Sequence, residues 1–123
     1  MRKQYHFRAS PAGLLAWDVD RLVELAKHLP RHRVPLAAIR EIDEPYWSNE
    51  GTLTCRDVVE HARLMQDRCF DHPVILLRDG RVMDGMHRIC KALLLGIGDI
   101  EAVRFLEDPK PDYVGVDPDD LPY

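Results

Sequence analysis

The segment from Val74 to Leu95 constrains the fold more than any other part of the chain. Val74-Ile75-Leu76-Leu77 is a compact apolar run, Asp79-Gly80 is a tight-turn dipeptide, and Arg81 to Asp84 returns as a second apolar stretch. That pattern predicts a β-hairpin. Gly85 follows directly, and from about His87 to Leu95 the spacing of Ile89, Ala92 and Leu93 predicts a helix, with Gly96 and Gly98 suited to its C-terminal cap.

The flanking segments extend the same mixed pattern. Behind Asp18, a candidate N-cap, Val19, Leu22, Val23 and Ala26 recur at helical spacing until Pro30, which predicts an amphipathic helix over 18–29. Val34, Leu36, Ile39 and Ile42 are apolar without a clean period, and Pro35 limits a central strand, so a short strand and a turn are expected. Thr54 and Asp57 form a shortened capping box, from which Val58, Val59, Ala62 and Met65 set out one helical face to about Arg68. Ile100 to Phe105 reads as a last strand. The fold class expected from these elements is α/β (α+β): a mixed sheet with a β-hairpin, and helices packed on it.

The 123 residues fit one domain. Residues 1–106 are expected to form it, with an N-terminal helix, while 107–123 (EDPKPDYVGVDPDDLPY) is rich in Pro and acid and is expected as an extended tail. Such a tail either wraps the surface or flaps over a cleft.

Charge and cysteine narrow the function classes. The formal net charge of −4 does not supply the broad positive field of a general DNA binder, so DNA is not expected as the main ligand. Cys55, Cys69 and Cys90 are odd in number and lack CxxC spacing, which fits neither a zinc site nor a disulfide framework. The basic start Met1-Arg2-Lys3 is not followed by an apolar stretch, and no run is long enough to span a bilayer. A cytoplasmic location is expected.

The candidate chemistry lies at Asp84-Gly85-Met86-His87-Arg88. A strand that ends at Gly and opens a helix aims free backbone N–H groups outward, where the helix dipole favours an anion such as phosphate. Gly85 allows close backbone approach, Arg88 can fork onto two phosphate oxygens, and His87 adds a donor. The plainer alternatives are that His87 and Arg88 are solvated at a helix start, and that Asp84 caps the helix or closes the turn. Tyr46 and Trp47, in the loop Asp43 to Leu53, either stack on a base or anchor that loop. Lys91 reaches a phosphate or is solvated, and Cys90 reads as packing. His28 and His32 are separated by Pro30, and His61 and His72 read as surface or capping residues.

Taken together, "VPLAAI", the helix after it, "PVILLRDGRVMDGMHRICKALLLG" and "IEAVRF" resemble the ParB/sulfiredoxin superfamily over about Arg33 to Phe105. Gly85-Met86-His87-Arg88 is similar to the Gly-Cys-His-Arg signature of sulfiredoxins and stands where ParB proteins carry Gly-Glu-Arg-Arg. Asp84, Gly85 and Arg88 also match the Asp-Gly-His-Thr-Arg motif of the ADP-dependent free serine kinases of that superfamily.

The resemblance implies a nucleotide, ATP, ADP or CTP, held at Gly85, Met86, His87 and Arg88, with Mg²⁺ at Asp84. It also implies a kinase or nucleoside-triphosphate hydrolase, or else a non-catalytic partition, regulatory or partner-binding module. In the kinase reading Asp84 engages metal or substrate, and a base comes from Glu41, Asp43 or Glu44. Met86 cannot form a thiolate, so sulfiredoxin chemistry is not implied. The ParB residues Glu and Arg are replaced by Met86 and His87, so neither is a preference for CTP. With no helix-turn-helix pattern after Phe105, a DNA-clamp role is not expected either.

Overall fold

The computed structural model describes residues 3–47 and 53–123, in which the fold is α+β. The chain order is β1 (Tyr5–Ser10), β2 (Gly13–Asp18), α1 (Val19–Ala26), β3 (His32–Pro35), two short 3₁₀ turns (Leu36–Ala38 and Arg40–Asp43), and α2 (Cys55–Asp67). It continues with β4 (Val74–Leu76), β5 (Val82–Asp84), α3 (Met86–Leu94), β6 (Asp99–Arg104), β7 (Tyr113–Val114) and a final 3₁₀ turn. No described helix is long and apolar enough to cross a membrane.

The central sheet is mixed, in the order β3-β6-β4-β5. β4 and β5 form the expected antiparallel hairpin, β4 runs parallel to β6, and β6 runs antiparallel to β3. β4 is buried at every position, because both faces of the sheet are covered. Val74, Leu76 and Val82 point into a core with Met86, Ile89 and Ala92 of α3 and with Leu36 and Ile39. Ile75, Leu77 and Met83 point the other way, against Trp17, Leu22 and Ala26 and beside Val103 and Phe105. Strand alternation thus assigns neighbouring residues to two separate apolar layers.

β5 lies at the edge of this sheet, and its outward backbone groups need partners. Glu41 Oε2 accepts from the Val82 amide at 2.6 Å, and the Tyr46 hydroxyl donates to the Val82 carbonyl at 3.3 Å. The 3₁₀ turn over Arg40–Asp43 therefore closes the strand edge.

Several sequence expectations are altered by tertiary packing. Residues 5–18 form an antiparallel hairpin, and β7 of the acidic tail adds to it as a third strand, in the order β1-β2-β7. The tail is fastened further by Trp17 Nε1, which donates to the Pro109 carbonyl at 2.8 Å, and by buried Leu121.

α1 begins at the Asp18 cap as expected but stops at Ala26, the last turn being closed by the Leu29 amide on the Ala26 carbonyl. The capping box at Thr54 and Asp57 is fully formed. The helix it starts buries no residue completely: Val58 and Val59 are exposed, since α2 lies on α3 through other positions. Leu93, expected inward, is also exposed.

Candidate functional site

α3 begins at Gly85, whose φ of +106° puts it in the left-handed region that favours glycine. A Cβ there would come within 2.9 Å of Arg88 Nη2 and 3.0 Å of Val74 Cγ2, so both backbone angle and packing require glycine. No side chain caps α3, and no acid stands in its first turn. The amides at the start of a helix have no intrahelical acceptor. Those of Met86, His87 and Arg88 stand at the positive end of the helix dipole.

The two ends of the motif turn inward. Arg88 is 8 % exposed; its guanidinium donates to the His72 carbonyl at 3.1 Å and to Asp84 Oδ2 at 3.2 Å. Its buried Nε has no partner among the described residues. The Arg88 side chain thus braces the turn from beneath, and its charge lies behind the amides rather than forking outward. Asp84 is held by that pair. Lys91 is likewise committed, donating to the Gln66 and Arg68 carbonyls at the end of α2.

His87 projects toward α2. Its Nε2 lies 2.8 Å from His61 Nδ1, so one ring donates and the other accepts. The two imidazoles are within 24° of parallel, and the Trp47 indole stacks on both, at 4.0 Å from His61 and 4.7 Å from His87 between ring centres. Burial, with contributions from His61 and Arg68, lowers the His87 pKa to about 4. His87 is therefore neutral at physiological pH. His61 was not legible as a site residue, since only the packing of α2 against α3 brings it to His87. Trp47 is held by this stack; residues 48–52 of its loop lie outside the described residues.

Glu41 is buried on the Val82 amide, as described above. Glu44 pairs with Arg81 at 3.2 Å and Arg40 at 3.6 Å, and Asp43 is exposed. Glu41, Glu44, Tyr46, Trp47 and the whole run Asp84 to Arg88 line one open groove of about 1560 Å³, which β1 and α1 also border. Of the seven Lys or Arg that line the groove, six are paired with a carboxylate, Lys3, Arg8, Lys27, Arg31, Arg81 and Arg88, so the lining carries little free positive charge.

A phosphate fits this arrangement through the helix amides and dipole. A metal ion fits less well. Asp84 is occupied by Arg88, and among the described residues no three His, Cys, Asp or Glu side chains gather to hold an ion.

Fold and site together define a small α+β domain in which a helix N-terminus without a side-chain cap borders an open groove. Comparison with protein-family models, curated proteins and solved structures finds no match for the chain.

Proposed function

We propose that this chain is a ParB/sulfiredoxin-like phosphate-binding domain, taking the phosphates of a nucleotide at the N-terminus of α3. One observation carries the reading: Gly85, at a φ of +106°, starts a helix without a side-chain cap, and the run Asp84 to Arg88 lines an open groove. Phosphate oxygens would accept from the Met86, His87 and Arg88 amides. The buried Arg88 guanidinium would add attraction from behind the turn, and neutral His87 would border the site. ATP, ADP and CTP are the nucleotides to test. The nucleotide-dependent enzyme of this kind is a small-molecule kinase or triphosphate hydrolase.

A second reading is favoured by the acids. Glu41 is spent on a backbone amide, Glu44 on two arginines and Asp84 on Arg88. A site in which Glu41, Glu44 and Asp84 each support structure suits binding without turnover, as in a partition, regulatory or partner-binding module.

Thermal shift against ATP, ADP, CTP and GTP, with and without Mg²⁺, tests the phosphate site. Stabilisation by a nucleotide is expected for the wild type and is expected to vanish in His87→Glu, which sets a carboxylate beside the amides. Absence of stabilisation by every nucleotide counts against the site. Turnover in the same mixtures, abolished in Asp84→Ala, assigns an enzyme; binding alone assigns the module.

A further inference from the structure

Beside the α3 turn lies a cavity of about 310 Å³ that shares Glu41, Tyr46, Trp47 and Met86 with the groove and is further bordered by Ile42 and Cys90. The Tyr46 and Trp47 rings stand at 86° with centres 6.0 Å apart, giving two walls of an aromatic box. Both rings are held in place. Tyr46 is fixed by its hydroxyl on the Val82 carbonyl and Trp47 by its stack on His61 and His87.

The polar group of this cavity is unbalanced. Glu41 is 5 % exposed, and its Oε2 accepts one neutral amide, while its Oε1 has no hydrogen-bond partner among the described residues. This largely buried carboxylate has one neutral donor and no ion pair among the described residues, its other oxygen meeting solvent only at the cavity, so its lost hydration is poorly compensated. Glu44 also borders the cavity, but Arg81 and Arg40 neutralise it. The uncompensated negative charge is therefore that of Glu41.

We infer that this cavity binds a small organic cation, with a primary or quaternary ammonium group set against Tyr46 and Trp47 and balanced by Glu41. Aromatic faces attract such a cation through their quadrupoles, and the carboxylate supplies the counter-charge. The other ligand classes fit less well. An anion would be repelled by Glu41, a neutral hydrocarbon would leave it uncompensated, and a hard metal ion needs more oxygen ligands than one free carboxylate oxygen. The inference does not depend on phosphate binding at α3.

Calorimetric titration of the full chain with choline, and with its neutral isostere 3,3-dimethylbutan-1-ol, tests it. Choline is expected to bind, with the isostere at least about tenfold weaker. Glu41→Gln keeps an acceptor for the Val82 amide while removing the charge, and is expected to weaken choline by about tenfold or more; Trp47→Leu is expected to do the same. Circular dichroism melts establish that each variant is folded, and if Glu41→Gln is not, the isostere comparison and Trp47→Leu decide. Equal binding of the isostere, undiminished binding by either folded variant, or no binding of choline to the wild type overturns the inference.

Discussion

The two faces of the central sheet bury similar apolar side chains but treat charge differently. On the α1 face, Trp17, Leu22, Ile75, Leu77, Met83, Val103 and Phe105 form a layer without a buried charge, and the Trp17 indole N–H is matched by the Pro109 carbonyl. On the α3 side, Glu41 and Arg88 are the charged side chains buried among the described residues, and Arg88 Nε is buried without a partner there. An unmatched buried polar group is costly, so the α3 turn is where the fold gives up stability. The α1 face carries no such cost, although α1 and β1 also border the groove beside that turn.

The largest expected effects test whether the two faces form one cooperative unit. Leu22 and Ile89 are both fully buried, one on each face. Leu22→Ala and Ile89→Ala are each expected to cost about 2–5 kcal/mol, in a single urea transition that shifts as a whole. Two separate transitions would break the comparison into two independent parts.

Gly85→Ala sharpens it on the α3 side. The strained φ and the 2.9 Å approach to Arg88 are expected to cost about 1–3 kcal/mol and to remove nucleotide stabilisation. Gly80 has positive φ but open space around it, so Gly80→Ala is expected to cost less in the same urea melts.

Acid tests both regions at once. Burial and Arg8 lower the pKa of His6, in β1, to about 4, and His87 is lowered to a similar value. A lowered folded-state pKa means that the unfolded chain binds more protons between about 4 and the ordinary value near 6.5. The stability is therefore fully present above about 6.5 and is lost as pH falls toward about 4. The two shifts are similar, so the pH dependence of the urea midpoint is expected to flatten by a similar amount in His6→Gln and in His87→Gln.

The smallest effect is expected at the surface. Arg8 and Asp79 pair at 3.0 Å between β1 and the β4–β5 turn, both partly exposed, and Arg8→Ala is expected to change stability by less than about 1 kcal/mol.

The readable parts of the fold were those in which local chemistry and burial agree. The hairpin of β4 and β5, the box at Thr54 and Asp57, and the Asp18 cap each follow from residues adjacent in sequence. β1 and β2 escaped because Tyr5–Ser10 is only half-buried and gives no strong alternation, while β7 lies in a Pro-rich stretch where only pairing with β2 makes a strand. In the site, Gly85 was legible because only glycine suits its backbone. The inward turn of Arg88, the His61–His87 pair and the edge-closing role of Glu41 were not, since each depends on segments far apart in sequence.

The central claim is that the open end of α3 holds phosphate, and amide-resolved NMR tests it most directly. On titration of the ¹⁵N-labelled chain with ATP, and with inorganic phosphate alone, the largest saturable shifts are expected at the Met86, His87 and Arg88 amides. Shifts confined to other parts of the chain, or none at these three under saturating nucleotide, would contradict the account.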